Sequence, residues 1–427
     1  MAMGLQETDF LIVGGGVIGL AVARELAERC HGAGIVILEK EKEPALHASG
    51  RNSGVVHAGF YYGADSLKAR FTRDGNRALT DYCLRHGLPI NRCGKVVVAS
   101  SAGEVAGIHE LKRRGDANGV ELTLVDNKQL RDLEPNARTL ERALFSPTTA
   151  AVDPRRVCAH LARNLPRTAQ ILTGCRFIGI DRGLALTELG RIRFRHLFNC
   201  AGLYADRVAH CFGVGRRYTM LPFKGIYLRH QDDHLIRRHI YPVPNLNNPF
   251  LGVHFTVTVD HHVKIGPTAI PAFWRENYDF LERFDLGELL EIGALQAGLL
   301  ARNDFRFRAL AFQEIRKYQR SRFIRGAARL GKRLPVKRFG AFTAPGIRAQ
   351  LLDLTSHRLV MDFLVAAGER STHVLNSVSP AFTSSFPFAS HIVDQAGIEC
   401  GPNAVAAPEA PANGPGSGGD ACPGSRP

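Results

Sequence analysis

The sequence predicts an α/β fold: a Rossmann-like unit at the start of the chain and a second region of α+β character. Three observations carry that expectation. Residues 9–40 read as strand, tight turn, helix and strand, and residues 197–206 repeat a strand, small-residue turn and helix near mid-chain. Residues 170–265 hold alternating strand-like runs. A chain of 427 residues also exceeds what one hydrophobic core usually serves, so two intimately connected domains are expected.

In chain order, residues 9–13 form a buried-strand run, 14–19 the turn, 20–29 a helix and 34–38 a second strand closed by Glu39. Residues 44–63 are polar and glycine-rich, a loop too long to be merely connective. Residues 66–86 have helical periodicity and 95–99 read as a short strand. Asp153-Pro154 is a helix start, with an N-cap Asp and Pro at the first helical position. Helical patterns run from about 285 to 320. Residues 399–427 are Ala/Pro/Gly/Ser-rich without apolar periodicity and are expected to be a disordered tail.

The composition, 45% hydrophobic and 22% charged, is ordinary for a soluble globular enzyme. The net charge of +15 favours anionic partners without choosing among them. Nine cysteines include no Cys-x-x-Cys pair, so neither a metal site nor a disulfide framework is expected, and buried thiols in a cytoplasmic protein are. The apolar stretch 10–23 follows Glu7 and Asp9, has no preceding Lys or Arg and contains four glycines, which fits neither a signal peptide nor a membrane span.

The chemistry starts at Gly14-Gly15-Gly16-Val17-Ile18-Gly19, which opens a helix directly after a strand, with Glu39 twenty positions beyond Gly19. Gly14 permits the tight turn, Gly16 lets backbone amides approach a pyrophosphate, and Gly19 allows close helix–strand packing. Glu39 accepts ribose hydroxyls, and the helix N-terminus offers N–H groups and a positive dipole end. With strand, helix and acid in register, dinucleotide binding is preferred to a chance glycine turn. The second strand–turn–helix, with Ala201 and Gly202 in its turn, resembles the second FAD contact region of two-domain flavoproteins.

Four motifs extend that resemblance. The first is Arg51-Asn52-Ser53-Gly54-Val55-Val56-His57-Ala58-Gly59-Phe60-Tyr61-Tyr62 with Ser66-Leu67-Lys68-Ala69; the second is Pro222-Phe223-Lys224-Gly225 leading into Tyr227. The third joins Ile240-Tyr241-Pro242-Val243-Pro244 to Pro249-Phe250-Leu251-Gly252-Val253-His254-Phe255-Thr256 and Ile265-Gly266-Pro267. The fourth is Pro345-Gly346-Ile347-Arg348-Ala349-Gln350 with Ser379-Pro380-Ala381. On these the chain, over roughly residues 8–395, resembles the D-amino-acid oxidase-like flavoproteins and, within them, the L-2-hydroxyglutarate dehydrogenase/oxidase group. It differs from that group's pattern at Arg51, where the group has His, and around Ala344–Ile347 and Ser377–Val378, which bears on the exact substrate.

The resemblance implies a Rossmann-like FAD-binding domain (1–90, 151–215 and 341–398) interleaved with an antiparallel-sheet substrate domain (91–150 and 216–340). It implies non-covalent FAD held by Gly14, Gly16, Gly19, Glu39, Asn52, Ser53, Gly54, Ala201, Gly202, Ser379 and Pro380, the last two starting a helix aimed at the flavin. The substrate is expected to be a small anionic 2-hydroxy acid, with quinone or dioxygen taking the electrons. His57, ahead of His254, is the expected base for the hydroxyl proton; His57 has a rival role in attaching flavin. Arg348 suits the carboxylate beside the reacting carbon, Lys224 the distal one, and Tyr241 can donate a hydrogen bond. An amino-acid or amine oxidase of the same architecture is the alternative; a flavin-binding scaffold without turnover and a nicotinamide enzyme rank lower. Finally, residues 316–338 carry ten Lys/Arg and no acid. A solvated basic face is the plain reading, peripheral contact with anionic lipid at the inner face of the plasma membrane the next; nucleic acid is not expected.

Overall fold

The computed structural model describes residues 5–244, 250–332 and 338–398; the expected tail, Pro249, and Arg333 and Lys337 of the basic run lie outside the described residues. Five parallel strands form the centre of the first sheet, in the order Ala169–Thr173, Ile35–Glu39, Gln6–Val13, Gly190–Asn199 and Ser371–Asn376. The apolar runs of the two N-terminal strands are continuous because both faces are covered. Phe10, Ile12, Ile35 and Ile37 enter one core with the helices, whereas Leu11, Val13, Val36 and Leu38 enter the core on the opposite face. Each such fully buried side chain contributes about 1.5–3 kcal/mol.

Helix Val17–Arg29 begins three residues earlier than the periodicity suggested, with Gly16 as its N-cap. Helix Leu67–Arg85 is capped by the Ser66 hydroxyl, which accepts from the Ala69 N–H, and helix Pro154–Arg163 starts on Asp153 as expected. The last helix, Ala381–Gln395, packs on both Val17–Arg29 and Leu67–Arg85. Gly75 makes this possible: a Cβ there would lie 2.2 Å from the Thr383 carbonyl.

The second region contains an eight-stranded sheet and a four-stranded one. The larger sheet is not wholly antiparallel. Lys95–Val98 runs parallel to His239–Pro242, and that parallel pairing is where two separate stretches of chain meet. The smaller sheet pairs Tyr218–Gly225 with Gly346–Asp353, setting Phe223 directly opposite Arg348. The expected helical stretch at 285–320 is broken into Leu286–Arg302 and Phe307–Ile315, because Asn303, Phe305 and Arg306 take left-handed backbone. A buried bidentate pair, Arg275 to Asp206 at 2.7 and 2.8 Å, ties the second region to the helix after Asn199.

Cys83, Cys93, Cys158, Cys175 and Cys200 are free thiols. Cys30 and Cys211 are not free thiols, which departs from the expectation of thiols throughout. Among the described residues no helix is long and apolar enough to cross a membrane.

Candidate active site

One cavity of about 910 Å³ runs from the glycine turn to the junction of the two regions. At its first end Gly14 has φ +110°, and a Cβ there would lie 2.5 Å from the Cys200 carbonyl; a Cβ on Gly19 would lie 2.0 Å from the Gly14 carbonyl. Side chains are therefore excluded where strand and helix meet. Two helices start in the cavity wall without a cap from their own N-cap residues: Val17–Arg29 after Gly16, and Ala381–Gln395 after Pro380. Their positive ends suit anionic groups. The Glu39 carboxylate accepts from the N–H groups of Gly15 at 3.0 Å and Glu41 at 2.9 Å, leaving lone pairs for hydroxyl donors. Burial raises its pKa. Ser49, which no sequence pattern marked, accepts from the Val17 N–H at 2.9 Å and lies against Gly16. These features fit a dinucleotide.

The opposite end gathers His57, Tyr227, Tyr241, Phe250, His254 and Arg348. His254 donates from Nδ1 to the Gly252 carbonyl at 2.8 Å. Because a carbonyl only accepts, the neutral ring carries its hydrogen on Nδ1 and presents Nε2 as a lone pair. Burial lowers the pKa of His254 to about 3, aided by Lys95, Lys317 and Arg348. His57 is held well below its ordinary value by burial, then by Lys95, His254, His239 and Arg348. Its backbone N–H donates to Thr383 at 3.1 Å, and among the described residues its ring makes no hydrogen bond. Tyr241 stacks on His254, with ring centroids 3.7 Å apart.

Arg348 sits 5.0 Å from the Phe250 ring centroid, its pKa lowered by burial. Among the described residues its side chain makes no hydrogen bond or ion pair. Glu314 acts on it from a distance, but that carboxylate already accepts from the Ala269 N–H and pairs with Lys317. A buried cation, Lys68, is charge-coupled to Arg348, and its ammonium lies 5.8 Å from the Tyr62 ring.

Of the residues singled out from sequence, Gly14, Gly16, Glu39, Asn52, Ser53, His57, Ala201, Gly202, Tyr241, His254, Arg348, Ser379 and Pro380 line this cavity. Gly19 and Gly54 stand behind it as packing positions; a Cβ on Gly54 would lie 2.4 Å from the Val152 carbonyl. Lys224 is not brought to the cavity: it is buried beside it, and Asp279 is the charge that acts on it. Arg51 donates to the Leu46 carbonyl and lies 4.2 Å from the Tyr278 ring. The carboxylate–imidazole cluster Glu41, His47 and Glu276 is ion-paired to Lys40 and Arg283.

A glycine-turn dinucleotide site opening onto two imidazoles and a guanidinium unpaired among the described residues fits a dinucleotide-dependent oxidoreductase. The chain belongs to the FAD dependent oxidoreductase family, whose model matches residues 9–394, and its cofactor is FAD. It is 36% identical over 420 residues to the mitochondrial L-2-hydroxyglutarate dehydrogenase of Nematostella vectensis, covering 92% of this chain and 91% of that protein. It is 35% identical to the L-2-hydroxyglutarate dehydrogenase of Escherichia coli (91% and 92% covered) and 34% to the mitochondrial one of Homo sapiens (91% and 88%). Among solved structures it is similar to the FAD-bound L-alpha-glycerophosphate oxidase of Mycoplasma pneumoniae (TM-score 0.70, 21% identity, 93% and 97% covered). Glycine oxidase of Geobacillus kaustophilus gives a TM-score of 0.65 at 16% identity, with 92% and 95% covered.

Proposed function

We propose that this chain oxidises L-2-hydroxyglutarate to 2-oxoglutarate. The observation that carries the reading is Arg348: a half-buried guanidinium without a carboxylate partner among the described residues, facing a cavity shared with two unprotonated imidazoles. A cation left unpaired away from water is costly, and an anionic ligand removes the cost. FAD supplies the acceptor for the two electrons. It is held by Gly14, Gly16, Glu39, Asn52, Ser53, Ala201, Gly202 and the Ser379-Pro380 helix start, with Gly19 and Gly54 shaping the turns.

Arg348 grips the carboxylate beside the reacting carbon with its planar fork. His254 takes the hydroxyl proton on Nε2. It is preferred to His57 because the Gly252 carbonyl fixes its tautomer and direction. The arriving carboxylates raise the imidazole pKa toward neutrality, which prepares the ring to hold that proton. Lys68 and Lys224 are both buried beside the cavity and both can serve the distal carboxylate; Lys68 is favoured because it is charge-coupled to Arg348. Purified protein given L-2-hydroxyglutarate and an artificial electron acceptor should form 2-oxoglutarate; no product overturns the reading.

The basic run places Arg316, Arg320, Arg322, Arg325 and Arg329 on an exposed face beside exposed Phe312, Ile315 and Tyr318. That mixture supports docking on an anionic membrane, where a quinone takes the electrons. Co-sedimentation with anionic but not neutral vesicles, lost at high salt, is the expected sign; equal binding to both removes the proposal.

A further inference from the structure

A charged group lies against the Tyr241 ring that stacks on His254. Lys95 opens the strand Lys95–Val98, paired to His239 on one side and Ser146 on the other. It is fully buried, and among the described residues its ammonium has no hydrogen-bond partner. Aromatic rings surround it instead: Tyr241, Tyr61 and Phe60, with centroids 4.3, 5.0 and 5.4 Å from Nζ. An ammonium carries three donors, so a buried lysine serving only the fold would be expected to satisfy them with a carboxylate or carbonyls. The Tyr241 ring that faces this cation is the ring stacked on His254.

We propose that Lys95 is a positioning residue for the oxidation: an aromatic-caged ammonium whose contact with the Tyr241 ring, itself stacked on His254, sets a positive charge beside the imidazoles that face the substrate. The inference rests on the function proposed above. Cys93 is the titratable group that acts on Lys95 itself. His239, on the neighbouring strand, joins His57 and His254 as the third imidazole in reach, and Lys95 acts on all three. Among the other cations, Arg348 acts on His57 and His254, Lys317 on His254 and Lys264 on His239. Tyr62 and Tyr227 are the remaining ionisable groups beside Tyr241. Lys95 is thus the shared element of the imidazole cluster.

The test is the pH profile of anaerobic flavin reduction by L-2-hydroxyglutarate in the FAD-loaded protein, wild type against Lys95→Met and Lys95→Arg. A nearby cation lowers an imidazole pKa, so its removal lets the ring keep its proton to higher pH. The acid limb of Lys95→Met should therefore move up by about one pH unit or more. Lys95→Arg, a cation that cannot lose its proton, should leave the limb where wild type has it.

Thermal unfolding gives a readout independent of turnover. Burial lowers the Lys95 pKa to about 7 from its ordinary 10.5. Between those values the unfolded chain binds the extra proton, so wild-type stability rises with pH across that window. Lys95→Met should melt above wild type at pH near 6, and the gap should close as pH rises. Flavin that bleaches in both proteins with an unmoved limb in Lys95→Met overturns the proposal, as does a limb displaced upward in Lys95→Arg if the Met variant fails to fold. Wild-type flavin that L-2-hydroxyglutarate does not bleach overturns the underlying function instead.

Discussion

Replacing His254 with alanine is expected to slow reduction of the bound flavin by L-2-hydroxyglutarate by about two to four orders of magnitude at neutral pH, with little change in substrate affinity. Only the proton acceptor is lost, because Arg348 and the cavity walls stay in place. His57→Ala should cost less: among the described residues no hydrogen bond sets the direction of that ring, so it is not pre-aimed at a proton. Rapid-mixing measurements of both variants decide the matter. A silent His254→Ala beside a crippled His57→Ala would exchange their roles.

Arg348→Met should lower the second-order rate of flavin reduction by about two to three orders of magnitude, since truncating one partner of a buried charge pair costs about 2–5 kcal/mol. Arg348→Lys keeps the charge and loses the fork, so it should fall between wild type and Met and should damage the reduction rate as well as binding. Lys68→Met should weaken L-2-hydroxyglutarate far more than lactate, and Lys224→Met should leave that ratio near wild type. A Lys224→Met variant that loses the discrimination while Lys68→Met keeps it would restore Lys224 to the distal carboxylate.

The glycine turn and Glu39 were legible because their tasks are local: φ at Gly14, the approach of Gly19 to the Gly14 carbonyl, and the end of a strand. Helix Asn127–Leu133 is equally local, because Asp126 and Gln129 form a capping box. Other features depend on contacts between distant residues. Ser49 reaches Val17 only through the fold of a loop, and Lys95 meets Tyr241 only because two chain segments run side by side in one sheet. A lysine heading the apolar run Val96-Val97-Val98 was the available signal for the latter.

Lys224 shows how strand alternation decides. Phe223 lines the cavity opposite Arg348, so the neighbouring side chain points to the other face of the sheet. The basic face could be read from composition alone, whereas its exposed Phe312, Ile315 and Tyr318 could be identified only from the packing of the helices beneath.

Whether this FAD site is built for a 2-hydroxy dicarboxylate is tested most directly by anaerobic mixing of the yellow protein with single acids. L-2-hydroxyglutarate should bleach the flavin rapidly and completely, while lactate, 2-hydroxybutyrate and glutamate at equal concentration should do so slowly or not at all. Bleaching by glutamate or a monocarboxylate as fast as by L-2-hydroxyglutarate would contradict the account.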